Sequence, residues 1–219
     1  MSFSTAIFKH FLREADLLLA FVLIILAFHL GSNAFSPVRF DREKIEVWVA
    51  GGQIQVRGLY HYRNRFPLPL SFSLGLPFPV DDGHKTPLIF SISEVLADGS
   101  TSKEIAPRNY HGDVVFRLWF APRQEKWIRV DYVQGALQPN GRYILLTTSK
   151  WNRPLERGKY ILYLSNGSEL AASNYPLQLE ARDQQHQYSF VRSNFYPGED
   201  WNFSWRMTTP LITSEHTPP

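Results

Sequence analysis

The chain has 219 residues, a formal net charge of +3 and no cysteine. This length fits one medium-sized domain with a short additional segment. The lack of cysteine excludes disulfides, thiolate nucleophiles and metal centres with Cys ligands. Hydrophobic residues make up 44% of the sequence and aromatic residues 15%, which favours a sizeable core built from strands. Because the basic residues are interspersed with carboxylates, nucleic acid is not an expected partner.

The first sixteen residues have the pattern of an amphipathic helix. Phe3, Ile7 and Phe11 recur at helical spacing, and charged residues occupy another face. We predict a helical extension over residues 1–16 that binds a partner or lies at a lipid surface, with these three side chains as candidate partner-binding residues. The alternative is a solvated helix end whose apolar residues only touch lipid headgroups.

Residues 17–35 are predicted to form a transmembrane helix. The stretch carries no formal charge, and glycine first occurs at Gly31, with Pro37 beyond the stretch, as at the end of a helix. Nineteen residues span about 28 Å at 1.5 Å per residue. That length is slightly shorter than a hydrocarbon core of roughly 30 Å and is feasible for a span.

A cleaved signal peptide is the alternative interpretation of this segment, since small residues at 32–34 resemble a cleavage site. Glu14 and Asp16 directly precede the apolar stretch and disfavour it, so we expect a retained signal-anchor. The numbers of positive charges before and after the predicted span are nearly equal, so they do not decide its orientation. A short N-terminal tail before a long domain favours a cytoplasmic N-terminus and an extracytoplasmic domain, in a bacterial periplasm.

His29 lies inside the predicted span, where an imidazole is costly and marks a candidate functional residue. Three interpretations stay open. The side chain reaches the outer headgroup region, it donates a hydrogen bond to a partner helix, or it ligates the metal of a haem or chlorophyll. We expect no cofactor and place His29 among the partner-binding residues.

After the predicted span, hydrophobic residues recur at every second position instead of at helical spacing. Ile45, Val47 and Val49 alternate with other residues up to Gly51-Gly52, which predicts a hairpin with a two-residue turn. Gly58 in the second strand predicts a bulge or a bend. Further alternating runs occupy residues 68–76, 88–95, 113–121, 127–134, 142–148, 159–165, 175–181, 187–192 and 201–206.

Short strands at this spacing predict a mainly β fold. We expect an antiparallel β-sandwich, Ig-like or related, over residues 44–206, with a linker at 36–43 and a flexible tail at 207–219. Four stretches resemble uncharacterised secreted or membrane-anchored bacterial β-sandwich domains: Tyr60 to Asn64, Phe78-Pro79, Arg142 to Glu156 and Asn194 to Trp205. The resemblance covers most of the chain after residue 44 and implies fold and location without implying an activity.

Trp201, Phe203 and Trp205 share one face of the last predicted strand. An exposed aromatic stripe would grip a partner, so the three are candidate partner-binding residues. The alternative is a stripe that belongs to the core.

Two polar groups are further candidates. His61 and Arg63 are predicted on one solvated strand face, where they could recognise an anion. Asp81, Asp82 and His84 predict first a turn and only secondarily a metal site, so no metal is expected.

Enzyme motifs are missing: the sequence has no nucleophile elbow, no HExxH and no phosphate-binding glycine loop. We therefore predict a non-catalytic accessory or scaffolding subunit of a larger membrane complex, with other membrane subunits and the lipid bilayer as partners. The alternative is a membrane-anchored module that binds a ligand or an envelope polymer outside the cytoplasm. A large concave apolar pocket in the domain would favour the second interpretation, and a flat apolar patch beside the membrane would favour the first.

Overall fold

The computed structural model describes residues 36–110, 113–151, 153–181 and 185–208. No helix among these residues is long and apolar enough to cross a membrane. The predicted extension at 1–16, the predicted span at 17–35 and the tail from residue 209 lie outside the described residues. These three predictions stay untested.

Strands dominate the described part of the chain, with one short helix between the ninth and tenth. The elements are β1 (Val38–Ala50), β2 (Gln53–Asn64), β3 (Leu70–Leu76), β4 (Leu88–Val95), β5 (Thr101–Glu104), β6 (Arg108–Tyr110), β7 (Asp113–Phe120), β8 (Glu125–Gly135), β9 (Asn140–Tyr143), α1 (Leu146–Ser149), β10 (Leu155–Ser165), β11 (Ser168–Ser173), β12 (Gln178–Ala181), β13 (Gln185–Phe195) and β14 (Trp201–Met207). The predicted mainly β fold is confirmed.

Three sheets hold these strands. The largest has eight strands in the order β12-β13-β10-β1-β2-β8-β4-β5, and the two smaller sheets have the orders β11-β14-β9 and β3-β7-β6. Strands β1 and β10 run parallel, with Ile45 opposite Tyr160. The prediction of a purely antiparallel arrangement is therefore wrong at this pair. A parallel pair needs a long crossover, and more than a hundred residues connect these two strands.

One hydrophobic core joins the three sheets. The eight-stranded sheet contributes buried side chains such as Ile45, Val130 and Leu162. Leu118 enters the same core from β7, and Trp201 enters it from β14. Because the smaller sheets pack against the large sheet through one shared core, the architecture is β-sandwich-like.

The first strand begins earlier than predicted. Val38 and Phe40 are buried at 0% and 5% exposure, and Val38 pairs with Asn64 of β2. The linker predicted at 36–43 is wrong from Val38 onward, because apolar side chains at alternate positions already face the core there. The charged residues between these apolar positions obscure the alternating pattern in the sequence.

The first hairpin is confirmed. Gly51 and Gly52 connect β1 to β2 with φ angles of +56° and +72°. Two consecutive positive φ angles define a type I′ turn, whose twist matches that of the flanking strands.

The bulge predicted at Gly58 is wrong, because β2 pairs there without a change of register. Gly58 instead makes room for the ring of Tyr60, which a Cβ atom would overlap. The irregularity lies in β1, between Phe40 and Arg42. It inserts Asp41 as an extra residue.

The run predicted as one strand at 142–148 divides between β9 and α1. Asp200 Oδ1 accepts hydrogen bonds from the backbone N–H groups of Leu145 and Leu146 at 2.9 and 3.0 Å. This distant carboxylate satisfies amides that a helix start leaves free. The local period could not indicate the helix, because the residue that caps it comes from the loop before β14.

Candidate functional site

A polar groove of about 560 Å³ lies beside the smaller β11-β14-β9 sheet. Its volume is within the range of sites for small ligands. Strands β9, β11 and β14 and the turn before β4 provide its walls. The lining residues are Asp81, Asp82, Gly83, His84, Gln138, Asn140, Gly141, Arg142, Ala172, Ser173, Asn174, Asn202, Phe203 and Ser204.

The turn at Asp81–His84 forms one wall of the polar groove. Asp81 Oδ1 lies 2.7 Å from Nδ1 of His84 and accepts a hydrogen bond from the N–H of Gly83 at 2.9 Å. Asp81 Oδ2 lies 3.3 Å from the guanidinium of Arg142. The hydrogen bond with His84, followed by that from Gly83, lowers the pKa of the Asp81 carboxyl. The carboxylate therefore orients both the imidazole and the guanidinium.

Three lining residues hold buried polar atoms for which the described residues provide no hydrogen-bond partner. These atoms are Nε2 of His84, Oδ1 of Asn140 and Nε of Arg142. His84 is only 6% exposed as a whole. Buried polar atoms without a partner are rare in folded proteins, because each one loses its hydrogen bond to water. Because these atoms are buried beneath the lining, they belong to the support of the polar groove and not to the surface that a ligand would touch.

Another part of the lining consists of amides that hydrogen bonds to the backbone hold in place. Asn174 donates to the carbonyl of Asp200 at 2.7 Å and accepts from the N–H of Asn202 at 2.9 Å. The Asn202 side chain donates to the same Asp200 carbonyl at 3.1 Å. A fixed set of amides gives the polar groove both donors and acceptors without a dominant charge.

The turn prediction for Asp81, Asp82 and His84 is confirmed, since Asp81 and His84 form a two-residue β-bridge around it. The described residues contain no cluster of three or more His, Asp or Glu side chains arranged to hold a metal.

The aromatic stripe on β14 lies in the core. Trp201, Phe203 and Trp205 are 0%, 4% and 8% exposed, which agrees with the second of the two interpretations. The assignment of these residues to partner binding is corrected, because the smaller sheet faces the large sheet with this side. Phe203 is also one of the lining residues of the polar groove.

The other candidate partner-binding residues, Phe3, Ile7, Phe11 and His29, lie outside the described residues. Their proposed contacts with a partner or a cofactor metal stay predictions.

His61 and Arg63 share one strand face as predicted, but His61 is buried at 3% exposure. Its Nδ1 lies 2.5 Å from Oδ1 of Asp41, and its Nε2 lies 3.2 Å from Oε2 of Glu125. Arg63 reaches the same Glu125 carboxylate at 2.8 Å, and the indole ring of Trp127 lies against the imidazole. The expectation of a solvated face is wrong for His61, because two carboxylates and an aromatic ring enclose it.

Sequence reasoning missed most of the polar groove. Asn140, Gly141 and Asn174 are not among the candidate residues that the sequence pattern indicates. No local pattern brings β9, β11 and β14 together, so no signal in the sequence could have located the groove. Glu43 was also missed, although its spacing of two residues from Ile45 places it on the core face.

No protein-family model matches the chain, and no curated protein matches it. Among solved structures, the chain is similar to a candidate nutrient-binding protein of Legionella pneumophila, with a TM-score of 0.60 and 15% identity over 77% of this chain and 67% of that one. An M1 zinc metallopeptidase of Deinococcus radiodurans matches with a TM-score of 0.46 and 9% identity over 78% of this chain and 43% of that one. A candidate protease of Parabacteroides distasonis matches with a TM-score of 0.43 and 12% identity over 80% of this chain and 41% of that one.

The chain thus spans about two thirds of the first of these structures and less than half of the two others. At 15% identity, the likeness to the first shows a shared fold. The peptidase and protease similarities, at lower TM-scores, carry no argument about this chain.

Proposed function

We propose that the protein is a non-catalytic binding module that takes a small hydroxyl-rich ligand, such as a saccharide unit of an envelope polymer, in the polar groove. The observation that carries this proposal is a groove of about 560 Å³ lined by the exposed side-chain amides of Asn174 and Asn202, which hydrogen bonds to the backbone hold in place. A ligand with several hydroxyl groups can both donate hydrogen bonds to such amides and accept hydrogen bonds from them.

Most of the lining of the polar groove suits a neutral ligand. Arg142 pairs with Asp81 across 3.3 Å, so these two charges compensate each other, and Asp82 is the other acidic side chain of the lining. The remaining lining is dominated by amides and hydroxyls, including those of Asn174, Asn202 and Ser204. Few, well-placed polar groups of this kind give orientation and specificity in ligand sites.

The proposal depends on the groove and not on the structural likeness to a candidate nutrient-binding protein, which concerns fold alone. It develops the second of the two functions predicted from the sequence. A role as an accessory subunit of a membrane complex, the N-terminal anchor and the extracytoplasmic location stay predictions.

The test is saturation-transfer NMR of the purified full-length chain with a panel of monosaccharides and disaccharides, including N-acetylglucosamine and its β-1,4-linked dimer. Ala172 is exposed and lines the groove, so Ala172→Trp should fill it and abolish the transfer signal. Ala171→Trp is the matched control, because Ala171 is exposed on the same strand but is not a lining residue.

Equal signals from wild type and Ala172→Trp would contradict the proposal, as would the lack of any signal across the panel. If the full-length chain bound no saccharide and co-purified from native membranes in fixed stoichiometry with other subunits, the accessory-subunit prediction would replace it.

A further inference from the structure

Large apolar side chains are exposed together at one end of the sandwich. Strand β2 finishes at this end and β8 starts from it, and the loops at residues 65–69 and 121–124 connect strands there. Leu68 in the first loop is 68% exposed, and Trp119 near the end of β7 is 60% exposed. Phe66 is exposed as well. We call the two loops together with Trp119 the loop tip. Clustered apolar exposure of this kind marks an interaction surface.

Hydrogen bonds hold the loop tip in one conformation. The buried side chain of Asn64 donates to the carbonyl oxygens of Leu68 and Ala121, both at 2.8 Å, and thereby ties the two loops together. The N–H of Arg123 donates to the carbonyl oxygen of Phe66 at 3.0 Å. Arg123 has a φ angle of +59°, which residues other than glycine rarely adopt. The surrounding contacts therefore fix the backbone that presents the exposed side chains.

Positive charge is concentrated at the loop tip. The guanidinium of Arg123 donates to the carbonyl oxygen of Arg65. Desolvation lowers the pKa of Arg65 first, and three neighbouring positive charges lower it further: those of Arg153, Arg39 and Arg123. Arg39 pairs with Glu156 at 2.7 Å, whereas the three other arginines form no ion pair with any described residue. Because like charges repel one another, an anionic partner stabilises such a group.

Anionic lipid headgroups match both features of the loop tip. Arginine binds phosphate groups well, and basic side chains are attracted to the negative surface of a leaflet. Tryptophan, phenylalanine and leucine enter the boundary between headgroups and acyl chains. A nucleic acid or a free phosphate ion uses the charges but leaves Leu68 and Trp119 in water. A lipid surface is therefore the occupant that accounts for both the arginines and the apolar side chains.

The chain before β1 joins the domain at the same end. Val38, the first residue of β1, pairs with Asn64, which directly precedes the loop at 65–69. The uncharged stretch predicted to span a bilayer, residues 17–35, ends three positions before Val38. A span formed by that stretch keeps this end of the domain within a few residues of the lipid.

We infer that the loop tip is a docking surface for a membrane that contains anionic lipids. Phe66, Leu68 and Trp119 enter the headgroup region, and the guanidinium groups of Arg65 and Arg123 contact the phosphates. The loop tip shares no residue with the lining of the polar groove, and this inference does not depend on the function proposed for the groove.

The test uses a single fluorescent label, which is possible because the chain has no cysteine. The environment-sensitive dye NBD is attached to Leu68→Cys in the purified full-length chain. Vesicles of phosphatidylcholine with about one third phosphatidylglycerol are then added, so that the surface is anionic. We expect NBD emission to rise at least two-fold and to be quenched by lipids that carry a nitroxide near the headgroup. Vesicles of phosphatidylcholine alone should give several-fold less quenching.

Leu137→Cys is the matched control for the label. Leu137 is also an exposed leucine, at 59%, but it follows the far end of β8. Since β8 has eleven residues with a rise of about 3.3 Å each, its two ends are roughly 33 Å apart. The emission and quenching of a label at this position should stay unchanged when anionic vesicles are added.

Arg65→Gln combined with Arg123→Gln tests the role of the charges and should lower the quenched fraction at position 68 several-fold. Replacing the same two residues with lysine keeps the charge and should preserve most of the quenching. Arg108→Gln combined with Arg206→Gln is the matched control, because it removes two exposed arginines outside the loop tip and should have no effect. A thermal melt of each variant checks that it is folded.

Ionic strength provides a readout that needs no arginine variant. Raising the salt concentration from about 0.1 M to about 1 M shortens the screening length from about 10 Å to about 3 Å. Quenching of the label at position 68 should therefore fall several-fold in anionic vesicles.

Three results would overturn the inference: no change at position 68 on addition of anionic vesicles, equal changes at positions 68 and 137, or equal quenching in the wild type and the glutamine double variant of the loop tip. Emission at position 68 that rises with protein concentration without lipid would also overturn it, and would assign the loop tip to contacts between copies of the chain. If residues 17–35 insert into the vesicles, they do so in every labelled chain, so the comparisons of positions and variants still decide.

Discussion

Nδ1 of His61 lies 2.5 Å from Oδ1 of Asp41, and both side chains are enclosed, at 3% and 0% exposure. The contact exists because the bulge in β1 turns Asp41 away from the core and onto the face that His61 occupies. Arg63 lies 3.8 Å from the second oxygen of the same carboxyl group. A register irregularity thus creates a buried polar pair on the outer side of the large sheet.

The first prediction concerns this pair. His61→Ala should lower the free energy of unfolding by about 3 kcal/mol, because it leaves the buried carboxyl group of Asp41 without its main partner. Denaturant unfolding of the two proteins measures the difference. Glu125→Gln is the control. The Glu125 carboxylate also contacts His61 but is half exposed, so this contact should contribute less than about 1 kcal/mol to the free energy of unfolding. Equal effects of the two substitutions would mean that the buried contact is not the stabilising one.

The second prediction concerns Glu43 and pH. Burial raises the pKa of this carboxyl from 4.5 to about 7, so the folded state binds a proton more tightly than the unfolded state does. The resulting stability is fully present below pH 4.5 and is lost as pH rises through 7. A shift of this size corresponds to on the order of 3 kcal/mol.

Unfolding free energies at pH 5 and pH 8 measure this loss against the Glu43→Gln variant, whose neutral amide does not titrate. The difference between the two pH values should be smaller in the variant by about that amount. An identical pH dependence in both proteins would show that Glu43 is not responsible.

The third prediction concerns close packing around Tyr160. A Cβ atom on Gly158 would lie 2.6 Å from the Tyr160 hydroxyl oxygen, so Gly158→Ala must displace the group that donates to Glu43. We expect a loss of about 1–3 kcal/mol, as for other overpacked interiors. At Gly75, no atom lies within 4 Å of such a Cβ, and Gly75→Ala should be neutral or slightly stabilising. Thermal melts of both variants separate the destabilisation caused by steric overlap at Gly158 from the effect of replacing any strand glycine with alanine.

The fourth prediction concerns the turn between β1 and β2. Gly51 has a φ angle of +56°, which asparagine tolerates and valine does not. Gly51→Asn should change the free energy of unfolding by less than about 0.5 kcal/mol. Gly51→Val should cost about 1–2 kcal/mol. If both substitutions had the same effect, the type I′ geometry would not be what the turn requires.

Local pattern was sufficient for much of the fold. Alternation in Ile45, Val47 and Val49 and the following Gly-Gly pair predicted the first hairpin, because side-chain period and turn chemistry are local properties. The same signal placed most of the longer strands. It missed β5, whose four residues are all exposed and which is held by backbone hydrogen bonds to β4.

The alternating pattern by itself determined that this chain forms a β-rich domain with a glycine hairpin, since side-chain alternation and turn chemistry are local properties of the sequence. Only the tertiary structure decided that β1 runs parallel to β10, that Asp200 caps α1, and that Glu43 accepts a hydrogen bond from Tyr160. Each of these contacts joins residues more than fifty positions apart. Such contacts form only when the sheets assemble around one core, and the polar groove is a product of that assembly.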